Sequence, residues 1–102
     1  MNIAEAVAAL KAGHRVTRPA WRDAGIWLIL VPGSTITVTA DRPLGIAAPE
    51  LVGEQLTYHP HIDIHTAAGT LGPWAGGANS VDFLLAEDWE IFPAPAAADA
   101  PS

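Results

Sequence analysis

The chain contains no cysteine, which removes disulfides, thiolate metal sites and a cysteine nucleophile together. It also has no apolar run approaching the roughly 20 residues that cross a bilayer. Its first residues lack the basic start and long apolar stretch of a secretion signal, so a cytoplasmic location is expected. Charge is scarce: 16% of the 102 residues are charged, and only five are Lys or Arg against eleven Asp or Glu. The resulting formal charge of −6 argues against general binding to a DNA or RNA backbone, where basic surfaces dominate. A Ser nucleophile elbow, a phosphate-loop lysine and a dinucleotide fingerprint are all missing, and no matched acid–base pair stands out. A non-enzyme is the expectation.

Against these absences stand an apolar content of 50% and four Trp. One domain fits the length, and a chain this short buries a smaller share of its surface than a longer one would. Self-association is then the simplest way to cover the remaining apolar area, and a homo-oligomer is expected. The basic residues are also unevenly placed. Lys11, Arg15, Arg18 and Arg22 lie close together, and Arg42 stands apart. That grouping is either ordinary solvated charge or a local positive patch able to hold a small anion.

Asn2 followed by Glu5 has the form of a capping box, and Ile3, Val7 and Leu10 recur at helical spacing. With Lys11 at the negative end and Gly13 at the exit, residues 2–12 read as an amphipathic helix. Residues 14–18 alternate as a short strand that Pro19 stops, and residues 21–25 turn the chain. Residues 26–31 form a strand apolar on both faces, one covered by core and the other by core or a second subunit. Pro32-Gly33 breaks it before a β-branched strand at 35–39. Residues 40–57 read as a long irregular excursion. Strands at 61–66 and 70–74 follow, joined by a turn at 67–69, then a Gly-Gly loop, a short helix at 80–85 and a last strand at 88–92. The expected fold is α+β: an N-terminal helix packed on a mostly antiparallel β-sheet, with a short second helix before the last strand. Residues 1–93 would form this single domain. The Ala/Pro-rich tail, 94–102, reads as disordered.

Two constellations carry candidate chemistry. His59, His61, Asp63 and His65 alternate, so a regular strand would point all four to one face as a first shell for a divalent metal. The plainer interpretation is a polar strand face, and Pro60 disturbs the start of the run. The second constellation is Trp21, Trp74 and Trp89 with their polar neighbours. A base stacked on an indole gains roughly 1–3 kcal/mol whatever the base. Arg18 or Arg22 would meet phosphate in forked geometry, and Gly76 and Gly77 would let backbone amides approach a ligand. Asn79 and Ser80 would open a helix behind them, with Asp82 as a ribose acceptor. Trp89 fits a core position better, whereas Trp21 and Trp74 suit core and pocket equally.

Several strings in order resemble one family. They are the opening helix ending in Lys11-Ala12-Gly13, then Arg18-Pro19-Ala20-Trp21, WLILVPGS at 27–34 and Leu44-Gly45-Ile46. YHPHIDIHTAAG at 58–69, Pro73-Trp74 and DFLLAEDWEI at 82–91 complete the set. Together they resemble the phage anti-Thoeris sponge family, the second family of Thoeris anti-defence proteins, over about residues 2–92. The resemblance implies a phage-encoded protein acting in the cytoplasm of the infected host. It would bind a cyclic ADP-ribose isomer, glycocyclic ADP-ribose, without degrading it and so keep the Thoeris effector off. It further implies a homotetramer with pockets between protomers and, for some members, separate sites for cyclic dinucleotides of CBASS. Carried over by motif, Trp21 and Trp74 would stack on the ligand, Asp82 would contact ribose hydroxyls, and Asn79 or Ser80 would donate to phosphate or ribose oxygens. No metal or cofactor is implied, and the YHPHID histidines become scaffold or pocket rim. The chain departs from the family in AGGANSV at 75–81, where a shorter loop with Ser-Gln is common. It also carries an extra residue between Asp82 and Ala86, so the polar contacts of this region are its least conventional part.

Overall fold

A computed structural model of the chain describes residues 1–74 and 80–93. The first element is α1, Ile3–Lys11, and the capping box is formed in full. The Glu5 amide donates to Asn2 Oδ1 at 2.9 Å, and the Asn2 amide donates to Glu5 Oε1 at 3.0 Å. Two otherwise orphaned amides are thereby satisfied. Gly13 follows with φ +92°, the left-handed exit that only glycine takes without strain.

Among the described residues seven strands follow in two antiparallel sheets, confirming the α+β class. β1 (Arg15–Thr17), β2 (Trp27–Val31), β5 (His61–His65), β6 (Leu71–Pro73) and β7 (Glu90–Phe92) form the larger sheet in the order β6-β5-β2-β1-β7. β3 (Ser34–Thr37) pairs with β4 (Gln55–Tyr58) in the smaller one. Directly opposed residues share a face, so the register Val16↔Leu28, Leu28↔Ile64 and Ile64↔Gly72 lays one row across the larger sheet. That face is the core side. Val16 and Leu28 are buried against Ala6 and Leu10 of α1 and against Trp89. The core is closed at one end by backbone pairing between Met1 and Trp89, whose amide donates to the Met1 carbonyl at 3.1 Å.

The opposite face carries Trp27, Ile29 and Val31 beside His61, Asp63 and His65. No helix of this chain lies over it among the described residues. Trp27 is sandwiched there, with the His65 ring stacked at 4.6 Å and an interplanar angle of 1°, and the Arg15 guanidinium 4.3 Å from the ring centroid. Residues 26–31 were expected to be covered on both faces; Leu28 is buried on the core side, while Trp27, Ile29 and Val31 on the other are partly covered within the single chain.

Two segments differ from expectation. Residues 21–25 are not a simple turn, because Pro19 opens a helical turn, α2 (Pro19–Arg22), rather than only stopping β1. Proline suits the first helical position, where its missing N–H has no partner to lose. The stretch 40–57 is likewise structured. Pro43 opens α3 (Pro43–Ala47), Pro49 opens a 3-10 turn (Pro49–Leu51), and β4 follows. Gly45 is buried where a side chain would overlap the Thr39 carbonyl, which explains glycine inside this short helix. The last helix, α4 (Ser80–Leu85), falls where expected. Gly76, Gly77 and the tail at 94–102 lie outside the described residues. No helix among the described residues is long and apolar enough to cross a membrane.

Candidate functional site

Arg18 is the hinge between β1 and α2, with extended backbone (φ −128°, ψ 155°) at the N-cap position. Buried Thr17 fixes the entry by donating its hydroxyl to the Ile26 carbonyl at 2.6 Å, which closes the α2 excursion on itself. Trp21 is thus placed on the rim of the core rather than in a loop. Trp74, just past β6, is anchored by its amide, which donates to the Ile62 carbonyl at 2.8 Å. α4 supplies Asp82 and Phe83, and Trp89 stands just before β7.

These elements converge on one aromatic cluster. The Trp21 and Phe83 centroids are 5.4 Å apart in an edge-to-face arrangement, and Trp21 meets Trp89 in the same way at 5.6 Å. Trp74 reaches Phe83 at 5.3 Å and Trp89 at 6.5 Å. The rings complement each other's quadrupoles in such geometry. Trp89 is the buried member, 2% exposed, and its Nε1–H donates to the Phe83 carbonyl at 3.1 Å. It is core, as its position in the sequence suggested, while Trp21 and Trp74 are only partly covered.

Beside the rings lies a charged clamp. The Arg18 Nε donates to Asp88 Oδ1 at 2.7 Å and its Nη1 donates to Asp82 Oδ2 at 3.1 Å. The guanidinium carbon sits 5.8 to 5.9 Å from the centroids of Trp21, Phe83 and Trp89. The hydrogen bond to Asp88 holds the guanidinium in its charged form more firmly than usual, against the opposing effect of burial, with Asp82 adding to it. The same bond holds the Asp88 carboxyl below the usual carboxylate range. Behind the cluster, a cavity of about 270 Å³ runs between α1, α4 and the sheet. It is lined by Ala6, Leu28, Trp74, Ser80, Phe83 and Trp89 among others, and is almost wholly apolar.

Of the residues singled out in the sequence, Arg18, Trp21, Trp74 and Asp82 meet around Phe83, and Ser80 lines the same cavity as Trp74. Arg22 is turned elsewhere, donating to Glu90 Oε1 at 2.8 Å with Asp23 nearby. Asn79 lies outside the described residues. Sequence reasoning missed Phe83, the ring on which the two partly covered indoles converge. An aromatic residue directly after a candidate ligand-binding aspartate was the available signal.

The four-residue metal face does not form. β5 begins at His61, so His59 precedes the strand, and its carbonyl lies 3.3 Å from His61 Nδ1. His65 is committed to the Trp27 stack, and its Nδ1–H donates to the Gly25 carbonyl at 2.8 Å. Only His61 Nε2 and Asp63 Oδ1 approach each other, at 3.3 Å. Among the described residues no three His, Asp or Glu side chains gather as a metal site.

The family model described as the Thoeris anti-defense 2-like domain matches residues 1–92. A search of curated proteins finds no match.

Proposed function

The chain belongs to the Thoeris anti-defense 2-like family, and from that premise we propose that it sequesters a cyclic ADP-ribose-type immune messenger, glycocyclic ADP-ribose, without degrading it. In this reading it is a phage-encoded, non-enzymatic sponge acting in the host cytoplasm, and it blocks activation of the Thoeris effector by lowering free messenger. The observation that carries the reading is the partly covered pair Trp21 and Trp74, joined through Phe83 beside the Asp82 carboxylate. Aromatic faces take a base, and a carboxylate accepts from vicinal ribose hydroxyls. A sponge needs affinity rather than turnover. A nanomolar dissociation constant, about −12 kcal/mol, silences a messenger present at micromolar level.

The homotetramer with pockets between protomers belongs to the same reading. It is supported by the second sheet face, where Ile29, Val31 and Phe92 are only partly covered and Leu71 is exposed. A ligand held between subunits also couples binding to assembly.

Calorimetric titration with glycocyclic ADP-ribose, followed by heating the complex and assaying the released molecule, tests the proposal. Tight binding with intact release is expected. A changed product would make the protein an enzyme, and no binding would turn the search to the cyclic dinucleotides of CBASS. Trp74→Ala is expected to lose binding while eluting as the same oligomer on size exclusion; normal binding by that variant would mean the pocket is misplaced.

A further inference from the structure

We infer that Arg18 is a positioning residue: anchored by Asp88, it aims the Asp82 carboxylate at the ribose hydroxyls of the messenger and does not grip its phosphates. The inference rests on the sequestration reading above and assigns the chemistry within that site.

Charge and donors lead to it together. Two carboxylates share one guanidinium, so the cluster carries a net negative charge despite containing an arginine. A phosphate brought to Arg18 would also meet the carboxylates of Asp82 and Asp88, which already contact the cation. Three of the five guanidinium N–H groups are also committed: that on Nε and one on Nη2 serve Asp88, at 2.7 and 3.4 Å, and one on Nη1 serves Asp82. Three aromatic rings surround the group, and only 17% of the side chain is exposed.

Asp82 is the opposite case. Its side chain is 68% exposed, and Oδ2 alone is engaged by Arg18, so among the described residues Oδ1 remains an acceptor beside the aromatic surface. Without the Arg18 contact, an exposed aspartate on a two-turn helix would sample several rotamers. With it, the carboxylate is held in one orientation next to Phe83 before any ligand arrives, and that pre-organisation raises affinity. Asp88 matters only through Arg18. Its bidentate contact fixes the guanidinium, and Arg18 in turn joins α4 to the segment before β7.

The two assignments of Arg18 predict opposite signs for one substitution. Under a phosphate grip, Asp88→Asn removes a competing carboxylate, frees the cation and tightens binding. Under the positioning role, Asp88→Asn loosens Arg18 and weakens binding. Glycocyclic ADP-ribose is titrated calorimetrically, at low and high salt, into wild type, Asp88→Asn, Arg18→Gln, Arg18→Lys, Asp82→Asn and the Arg18→Gln/Asp82→Asn double variant, each checked for folding by circular dichroism.

Positioning predicts a loss of about 10- to 100-fold for Asp82→Asn, the range of a hydrogen bond to a charged group. Arg18→Gln falls in the same range with no flattening of the salt dependence, Arg18→Lys recovers part of the loss, and the double variant is no worse than Asp82→Asn alone. Asp88→Asn is weaker than wild type by a smaller factor; being the mildest change, it also serves if Arg18→Gln does not fold. An unchanged or tighter Asp88→Asn, or a salt dependence that flattens in Arg18→Gln, overturns the inference while leaving sequestration standing. No binding by the wild type removes the sequestration reading, and the inference with it.

Discussion

Trp89→Phe isolates the part of the aromatic cluster that belongs to the core. The substitution keeps a ring in place but removes the indole N–H and part of the buried ring system. The lost donor leaves the Phe83 carbonyl without the partner it has at 3.1 Å, and a buried polar group left unpaired costs about 1–3 kcal/mol. The missing ring atoms amount to one or two methylene equivalents of packing, about 1–2 kcal/mol more. Trp89 is 2% exposed, so solvent has little access to compensate. The sum is about 2–5 kcal/mol, and for a domain of this size it corresponds to roughly 10–40 °C in Tm. Urea denaturation followed by circular dichroism at fixed protein concentration reads it as a lower midpoint at unchanged slope. Trp21→Phe is the matched control, because Trp21 contributes edge-to-face contacts from a partly covered position; it should cost less than half as much. If Trp89→Phe came within about 0.5 kcal/mol of wild type, or matched Trp21→Phe, the assignment of Trp89 to the core and the value given to its hydrogen bond would both be wrong.

Other substitutions probe parts of the fold away from the rings. Gly45→Ala places a methyl group against the Thr39 carbonyl, so α3 must shift; hydrogen exchange should show faster opening of α3 and β4 than of β2 and β5. Wild type and Asp88→Asn should differ most in stability at neutral pH and converge in acid. The Asp88 carboxyl is depressed by the Arg18 hydrogen bond, so its contribution is present above the ordinary carboxylate range and is lost as pH falls through its lowered folded value. Thermal melts of the two proteins across the acid range check this, and a constant difference between them would contradict it.

The parts of the fold legible in the sequence were those set by local chemistry. The Asn2/Glu5 pair announces α1 because a capping box is satisfied within four residues. The alternation at β5 announces a strand because one face is core, with Ile62 and Ile64 packed against it. The prolines misled. Pro19 read as a stop, and Pro43 and Pro49 fell in a stretch read as irregular, yet each stands at the start of a helical turn, where proline is equally at home. The site divides in the same way. Trp21, Trp74 and Asp82 stood out as residue types, but their meeting at Phe83 depends on α4 folding back against α2. That Arg18 finds Asp88 rather than an incoming anion is likewise a contact across 70 positions of chain, beyond any local pattern.

Both outer strands of the larger sheet, β6 and β7, are three residues long. β6 ends in Pro73, and Pro93 follows β7 directly. Proline has no amide hydrogen to offer a further strand, and so short a ladder gives an added chain little to grip. Growth of the sheet sideways is thereby discouraged at both margins. Contact through the larger sheet is thereby left to its broad surface bearing Trp27 and Phe92 rather than to its margins.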